Sequence, residues 1–310
     1  MQYDEFPAMS TTLLVAAEGP SESLRQGFEL VRRYVAEAEQ RFSRFRDSSE
    51  LSQLNRAAGQ WFDASPELFG LVQEARTWHT LTSGLFDPSL LNALKQVGYD
   101  RSFAELGEVS EQAALAEAGW IRPPFAETQV DPEGNRILLP EGVQLDLGGV
   151  AKGWIAERAA EILGRHADAC AVSAGGDMAL RGLPAGQSAW PVSLEDPRDP
   201  SRVAAVLNVK PGSLATSSVT KRRWVQGEAP RHHILDPRRG LPADSQWLSV
   251  TVWAESATGA EAFAKALLIA GPEEVSALSG GLEELQFIAI RRDGTLWALP
   301  QSEEILRVAA

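Results

Sequence analysis

The segment Leu145-Asp146-Leu147-Gly148-Gly149-Val150-Ala151-Lys152-Gly153-Trp154 concentrates residues able to handle an anion. Its pattern predicts a strand ending at Asp146, a tight turn at the two glycines and a helix beyond. Backbone amides at a helix N-terminus attract negative charge, and glycine lets a phosphate approach the main chain closely. Lys152, on the first turn, would add a full positive charge. The spacing is neither GxGxxG nor GxxxxGK[ST], so neither a Rossmann site nor a P-loop is supported. Taken alone, the segment reads either as an anion cradle or as a plain strand-to-helix turn.

A second glycine pair follows in Ser173-Ala174-Gly175-Gly176-Asp177, again after an apolar run; Gly-Gly-Asp also suits many tight turns. Two of the four histidines are adjacent in His232-His233-Ile234-Leu235-Asp236-Pro237. Imidazole suits proton transfer near neutral pH, and neighbours on an extended strand point to opposite faces, so one of the pair at most faces a pocket. The alternative is a turn-stabilising or adventitious metal-binding pair. His79 and His166 sit near predicted helix C-termini, where a capping role is expected. Thr258 and Glu261 have capping-box spacing, and Glu261 and Lys265 could pair one turn apart. No HExxH, CxxC or GxSxG occurs.

The elements that must position these residues are legible as periodicities. Helices are expected over residues 21–42, from Ser65-Pro66 to before Gly84, over 150–163 closed by Gly164, and from Thr258 to Ile269 closed by Gly271. Phe28, Val31, Val35, Ala38 and Phe42 share one face of the first; Leu68, Leu71, Val72 and Ala75 share one face of the second. Strands are expected at 143–146, 169–173, 203–209, 248–254, 286–291 and 295–299. They cluster rather than alternate with helices, which favours α+β with largely antiparallel sheets. Segments near 182–201 and 226–245 are rich in proline and glycine and read as long functional loops.

The chain has 310 residues, 44% hydrophobic and 23% charged, ordinary for a globular protein with a substantial core. Its net charge of -13 argues against generic nucleic-acid binding. An anionic ligand would need a local positive or amide-lined pocket. A lone cysteine, Cys170, excludes an internal disulfide and a cysteine-based zinc site, and its apolar surroundings predict a small buried hydrophobe. The N-terminus shows no secretory signal, no lipid-attachment cysteine is visible and no stretch is long enough to span a bilayer, so the expected location is cytoplasmic.

Together the segments resemble the ApbE family, FAD:protein FMN transferases, in order and spacing. Asp146-Leu147-Gly148-Gly149-Val150-Ala151-Lys152-Gly153 is similar to that family's signature. Ala174-Gly175-Gly176-Asp177, Leu194-Glu195-Asp196-Pro197, Ala215-Thr216-Ser217 and His233-Ile234-Leu235-Asp236-Pro237 follow in the family's sequence. Upstream, Phe42-Ser43-Arg44-Phe45-Arg46 with Ser49-Glu50-Leu51-Ser52-Gln53-Leu54-Asn55, and Gly84-Leu85-Phe86-Asp87-Pro88, resemble its N-terminal and middle blocks. The resemblance spans about residues 6–272.

It implies an ApbE-like α+β fold of layered antiparallel sheets and packed helices, one unit over residues 1–310 or two intimately packed subdomains with the FAD site between them. It also implies cleavage of the FAD pyrophosphate, FMN passing to a Thr or Ser hydroxyl of a partner protein as AMP leaves, with magnesium assisting. Met9, Phe45, Leu85, Phe86, Asp87, Asp146, Lys152 and Leu235 match FAD-contacting positions, and His233 falls where a base could deprotonate the acceptor. The carbonyl of Gly149 and the side chain of Glu261 match metal-contacting positions. The chain departs from the pattern at three places. Glu261 and Lys265 stand where many members carry Asp and Thr as metal ligands, and an ammonium cannot ligate a cation. Ser173 replaces a frequent Asn, and Ser218-Val219-Thr220 replaces Gly-Asp-Tyr. Two other readings stay open: a magnesium-dependent FAD pyrophosphatase and a non-catalytic FAD-binding protein.

Overall fold

The computed structural model describes residues 1–106, 109–110, 120–275, 278, 286–298 and 302. Eight strands make one sheet: Gln2–Ala8, Thr11–Glu18, Ala169–Ala174, Asp177–Arg181, Gly212–Ser218, Trp247–Ala254, Gln286–Arg291 and Leu296–Ala298. Every neighbouring pair is antiparallel, and the spatial order is the chain order. The fold is α+β, as the clustering of strand signals predicts. The last strand is described to Ala298; Leu299, where the sequence places its end, lies outside the described residues.

Seven helices accompany the sheet among the described residues: α1 (Ser21–Phe42), α2 (Glu50–Arg56), α3 (Pro66–Leu81), α4 (Leu91–Gln96), α5 (Phe103–Leu106), α6 (Ala151–Leu163) and α7 (Ala257–Glu274). The two-residue period of a strand sorts its side chains between two cores. Cys170, Val172 and Ala174 join the core beneath α1 and α6. Ala169 and Ala171 face the opposite side, where the hairpin of strands Trp190–Asp196 and Asp199–Val209 packs Trp190, Leu194 and Leu207 against Leu180 and Leu214. Cys170 is fully buried, and burial pushes its thiol up to about 11.

Ser65 caps α3 by accepting from the Leu68 amide, and Pro66 occupies the first turn. α7 is buried all round: from Ala257 to Gly271, Lys265 alone retains exposure. Gly271, at φ 69°, breaks its helical path before Pro272. α6 crosses it closely, because a Cβ on Gly153 would lie 2.7 Å from the Ala257 carbonyl. Gly164 ends α6 in a right-handed conformation rather than a left-handed cap.

Three local expectations are corrected. Residues 143–146 form no strand; Gln144 makes one parallel bridge to Leu90. The segment is held extended by a side chain instead. Asn55 Nδ2 donates to the Leu145 carbonyl at 2.9 Å, Asn55 Oδ1 accepts the Leu145 amide at 2.7 Å, and the Asp146 amide reaches the Pro88 carbonyl. The stretches 182–201 and 226–245 are not continuous loops, because about half of each is paired strand. The box predicted for Thr258 and Glu261 is absent: Ser256 caps α7, the Thr258 hydroxyl accepts from Trp78 Nε1 at 2.8 Å, and Glu261 turns toward α6.

Because Asn55 satisfies both main-chain groups of a buried residue, Asn55→Ala should cost about 1–3 kcal/mol in urea unfolding. A loss below about 0.5 kcal/mol, typical of a neutral surface change, would show that the segment holds its own shape.

Candidate functional site

Every residue singled out from the sequence as a flavin, base or metal position lines one cavity of about 620 Å³, except Glu261, which lies behind its wall. That volume is in the range of small-molecule sites. The hairpin between the first two strands turns at Met9 and Ser10, both at positive φ (53° and 54°), which sets Met9 at the rim. Such a turn suits the twist of antiparallel strands and ordinarily favours glycine or asparagine.

One wall is built on Arg44, just beyond α1. Its guanidinium lies 4.2 Å from the Phe45 ring centroid and 4.6 Å from that of Tyr99, donates to the Tyr99 carbonyl at 3.1 Å, and sits 3.1 Å from Asp146 Oδ2. Stacking and a charge pair together fix Phe45 and Asp146. Leu85, Phe86 and Asp87 continue the lining. Asp87 accepts from the Ser89 amide (2.9 Å) and hydroxyl (2.5 Å), with Arg122 Nε at 3.1 Å and His79 Nε2 at 3.7 Å. Burial works to raise the Asp87 carboxyl, but the His79 and Ser89 contacts outweigh it and hold it low. His79, in the last turn of α3, has Nε2 3.1 Å from Arg122 Nη2 and 3.7 Å from Asp87 Oδ2, and His166 Nδ1 lies 3.4 Å from the Ser23 hydroxyl on α1.

At the far end four charged side chains meet. The Lys152 ammonium donates to Asp177 Oδ2 and, at 2.5 Å, to Glu261 Oε1. Lys265 Nζ approaches the same Oε1 at 3.2 Å, and Glu261 Oε2 accepts the Gly153 amide at 3.0 Å. Burial alone would push Glu261 up; the two ammoniums and the amide instead bring it down to about 2. Lys152 is raised, its two carboxylates overcoming burial, whereas burial leads in lowering Lys265.

The sequence placed an anion at the N-terminus of α6, and one is there: the Glu261 carboxylate of this chain, on the Gly153 amide and Lys152. Three nearby amides are also engaged. Gly148 donates to Asp146 Oδ1 at 2.8 Å, while Val150 and Ala151 both donate to the Leu147 carbonyl. The Gly148-Gly149 turn therefore supplies room rather than an array of amides. A Cβ at Gly149 would lie 3.2 Å from Phe86 and from Lys265 Cε.

The second glycine pair makes a two-residue hairpin with Gly175 and Gly176 at φ 62° and 101°, and a Cβ on Gly175 would strike the Thr11 hydroxyl at 2.6 Å. It delivers Asp177 to Lys152; Asp177 Oδ1 also accepts the Thr216 amide at 3.3 Å. The two histidines part where the strand Ala229–His232 ends and His233 begins the bend beyond it. His232 Nε2 lies 3.1 Å from the Ala243 carbonyl, whereas His233 faces the cavity, its Nδ1 buried without a partner among the described residues. Burial lowers His232 to about 4; burial, then Arg222, carries His233 well below its usual range, so its ring is neutral. Leu235 is held by the short pair Leu235–Asp236 with Leu241–Pro242.

Arg44, Tyr99, Asp177 and Arg222 also line the cavity and were not singled out. Asp177 stood in a motif already noted; Arg44 lay within a quoted block, but only packing shows it stacked. No three His, Cys, Asp or Glu side chains converge as a metal-binding group among the described residues, and no helix among them is long and apolar enough to cross a membrane.

Residues 9–288 match the profile of the ApbE family. The FAD:protein FMN transferase of Treponema pallidum (strain Nichols) is 31% identical over 283 residues, covering 85% of this chain and 76% of that protein. That of Rhodobacter capsulatus is 30% identical over 256 residues, covering 81% of this chain but 48% of its own length, so the chain spans about half of it. The crystal structure of the ApbE protein from Thermotoga maritima gives a TM-score of 0.86 at 26% identity, covering 99% of this chain and 100% of that one.

Both histidines bind fewer protons folded than unfolded, so their contribution to stability is complete above about pH 6.5 and is lost as pH falls below it. Between about pH 6.5 and 4 His232 should remove up to about 1.4 kcal/mol per pH unit, and His233 acts in the same direction below about pH 6.5. Urea unfolding across that range should show the slope reduced in His233→Asn; an unchanged slope would mean His233 is protonated in the folded protein.

Proposed function

This chain belongs to the ApbE family, and we propose that it is an FAD:protein FMN transferase, joining FMN through a phosphoester to a Thr or Ser hydroxyl of an acceptor protein. The observation that carries the reading is the convergence of Met9, Phe45, Leu85, Phe86, Asp87, Asp146, Lys152, Leu235 and His233 on one cavity. They come from five separate stretches of the chain, around residues 9, 45, 85–87, 146–152 and 233–235.

In the proposed step the acceptor hydroxyl oxygen attacks the phosphorus of the FMN half. The bond from that phosphorus to the bridging oxygen breaks, and AMP leaves with that oxygen and the bonding pair. The hydroxyl proton passes to the neutral ring of His233, then to solvent. A buried imidazole held low is a weak base alone, but an arriving diphosphate raises it by favouring its charged form. The Arg44, Phe45 and Tyr99 wall offers stacking surface to a planar ring. Phosphoryl transfer depends mostly on positioning and charge neutralisation, so no protein nucleophile is required.

Magnesium, which the family resemblance implies, does not fit the residues present. A cation on Glu261 would have to displace an ammonium or an amide from each oxygen. No step is therefore routed through a metal.

Incubation of the purified chain with FAD and a Thr-containing acceptor should release AMP and add FMN to the acceptor, read by intact mass. His233→Ala should slow transfer about 10²–10⁴-fold while FAD binding changes little. AMP and free FMN without acceptor would replace transfer by hydrolysis; tightly bound, intact FAD would replace catalysis by storage.

A further inference from the structure

We propose that Lys265 supplies, as an ammonium, the positive charge for which the family resemblance implies a divalent cation, so that FMN transfer by this chain is independent of metal. The inference rests on the transferase reading and concerns how its anionic substrate is neutralised.

Three observations carry it. First, Lys265 is the single residue of α7 between Ala257 and Gly271 that is not buried, because it reaches the cavity. A helix enclosed on all sides holds a charge only where that charge has partners. Secondly, the ammonium has three N–H donors. Two are directed at Glu261, to Oε1 at 3.2 Å and to the main-chain carbonyl at 3.4 Å. The third is left for a ligand oxygen on the cavity side, beside Gly149, whose Cβ position lies 3.2 Å from Lys265 Cε. Thirdly, the local charges already balance. Lys152 and Lys265 face Asp177 and Glu261. A divalent ion added there would meet two ammoniums, whereas a diphosphate meets a positive group that is anchored and can turn toward it.

The charge acts on the transferring phosphoryl and the departing AMP. As the bond between phosphorus and bridging oxygen lengthens, negative charge grows on the leaving phosphate. A fixed donor beside it stabilises that charge without reorganisation. Glu261 is then a positioning residue: it holds the Lys265 ammonium in place and keeps it protonated in a buried setting.

The test compares wild type with Lys265→Met, which keeps length and loses charge, and Lys265→Arg, which restores charge. Binding of FAD and of riboflavin, which has no phosphate, is measured by flavin fluorescence in EDTA. Transfer is measured in EDTA and in excess magnesium, and Mn²⁺ binding is followed by electron paramagnetic resonance with FAD present. We expect wild-type transfer within about two-fold in the two buffers and no stoichiometric Mn²⁺. Lys265→Met should lose at least about 10²-fold in transfer and about 10-fold or more in FAD affinity, with riboflavin affinity unchanged and Lys265→Arg partly restored. Transfer abolished by EDTA and recovered with magnesium, or one tight Mn²⁺ per chain, overturns the inference. So does Lys265→Met with wild-type FAD affinity. If no condition yields FMN-acceptor or AMP, the transferase reading fails, while the comparison of FAD with riboflavin still decides whether Lys265 holds the phosphates.

Discussion

Two carboxylates and two ammoniums share one poorly solvated space at the meeting of α6, α7 and a hairpin tip, and much of the architecture is arranged to make that possible. Each charge alone would be strongly disfavoured by loss of water, so the four depend on one another. Lys152 comes from the first turn of α6, Glu261 and Lys265 from successive turns of α7, and Asp177 from the Gly175-Gly176 hairpin. The cluster ties three elements distant in sequence. It also explains Gly153, where a side chain would both strike the Ala257 carbonyl and disturb an amide that Glu261 accepts.

An acidic protein that takes an anion faces repulsion from its own field, and the cavity meets this locally. Its charged end is balanced rather than negative, and Arg44 and Arg222 stand elsewhere on its lining. Another part of the lining is aromatic, with Phe45 and Tyr99 stacked on Arg44, while Phe86 stands beside Lys265. A flavin nucleotide has the matching asymmetry, a planar ring joined to a phosphate chain. The neutral imidazole of His233 lies on the same cavity, with a buried ring nitrogen unpartnered among the described residues.

The glycine signature is informative for a reason different from the one its pattern suggests. The amides of Gly148, Val150 and Ala151 are engaged within the chain, so the turn presents no full nest of amides to a phosphate. Glycine at 149 instead leaves space against which Lys265 and Phe86 both pack. The helix dipole of α6 is met by Glu261, and its favourable field acts on a carboxylate of the protein itself.

Local patterns settled much of this molecule. The spacing of Val31, Val35, Ala38 and Phe42 and of Leu68, Leu71, Val72 and Ala75 determined two helices and their inner faces, because amphipathic periodicity is a property of neighbours in the chain. Clustered strand signals determined the α+β class, and ordered motifs pointed to the family. Tertiary structure alone decided the rest. Residues 143–146 look like a strand yet are held by the Asn55 amide from another helix. Thr258 and Glu261 look like a capping box, but Trp78 and Gly153 take their side chains instead. The pairing of Lys265 with Glu261 is legible in sequence, but that Lys152 meets the same carboxylate is not. A charge's energy is set by what surrounds it after burial, and those surroundings come from segments that the linear order does not bring together.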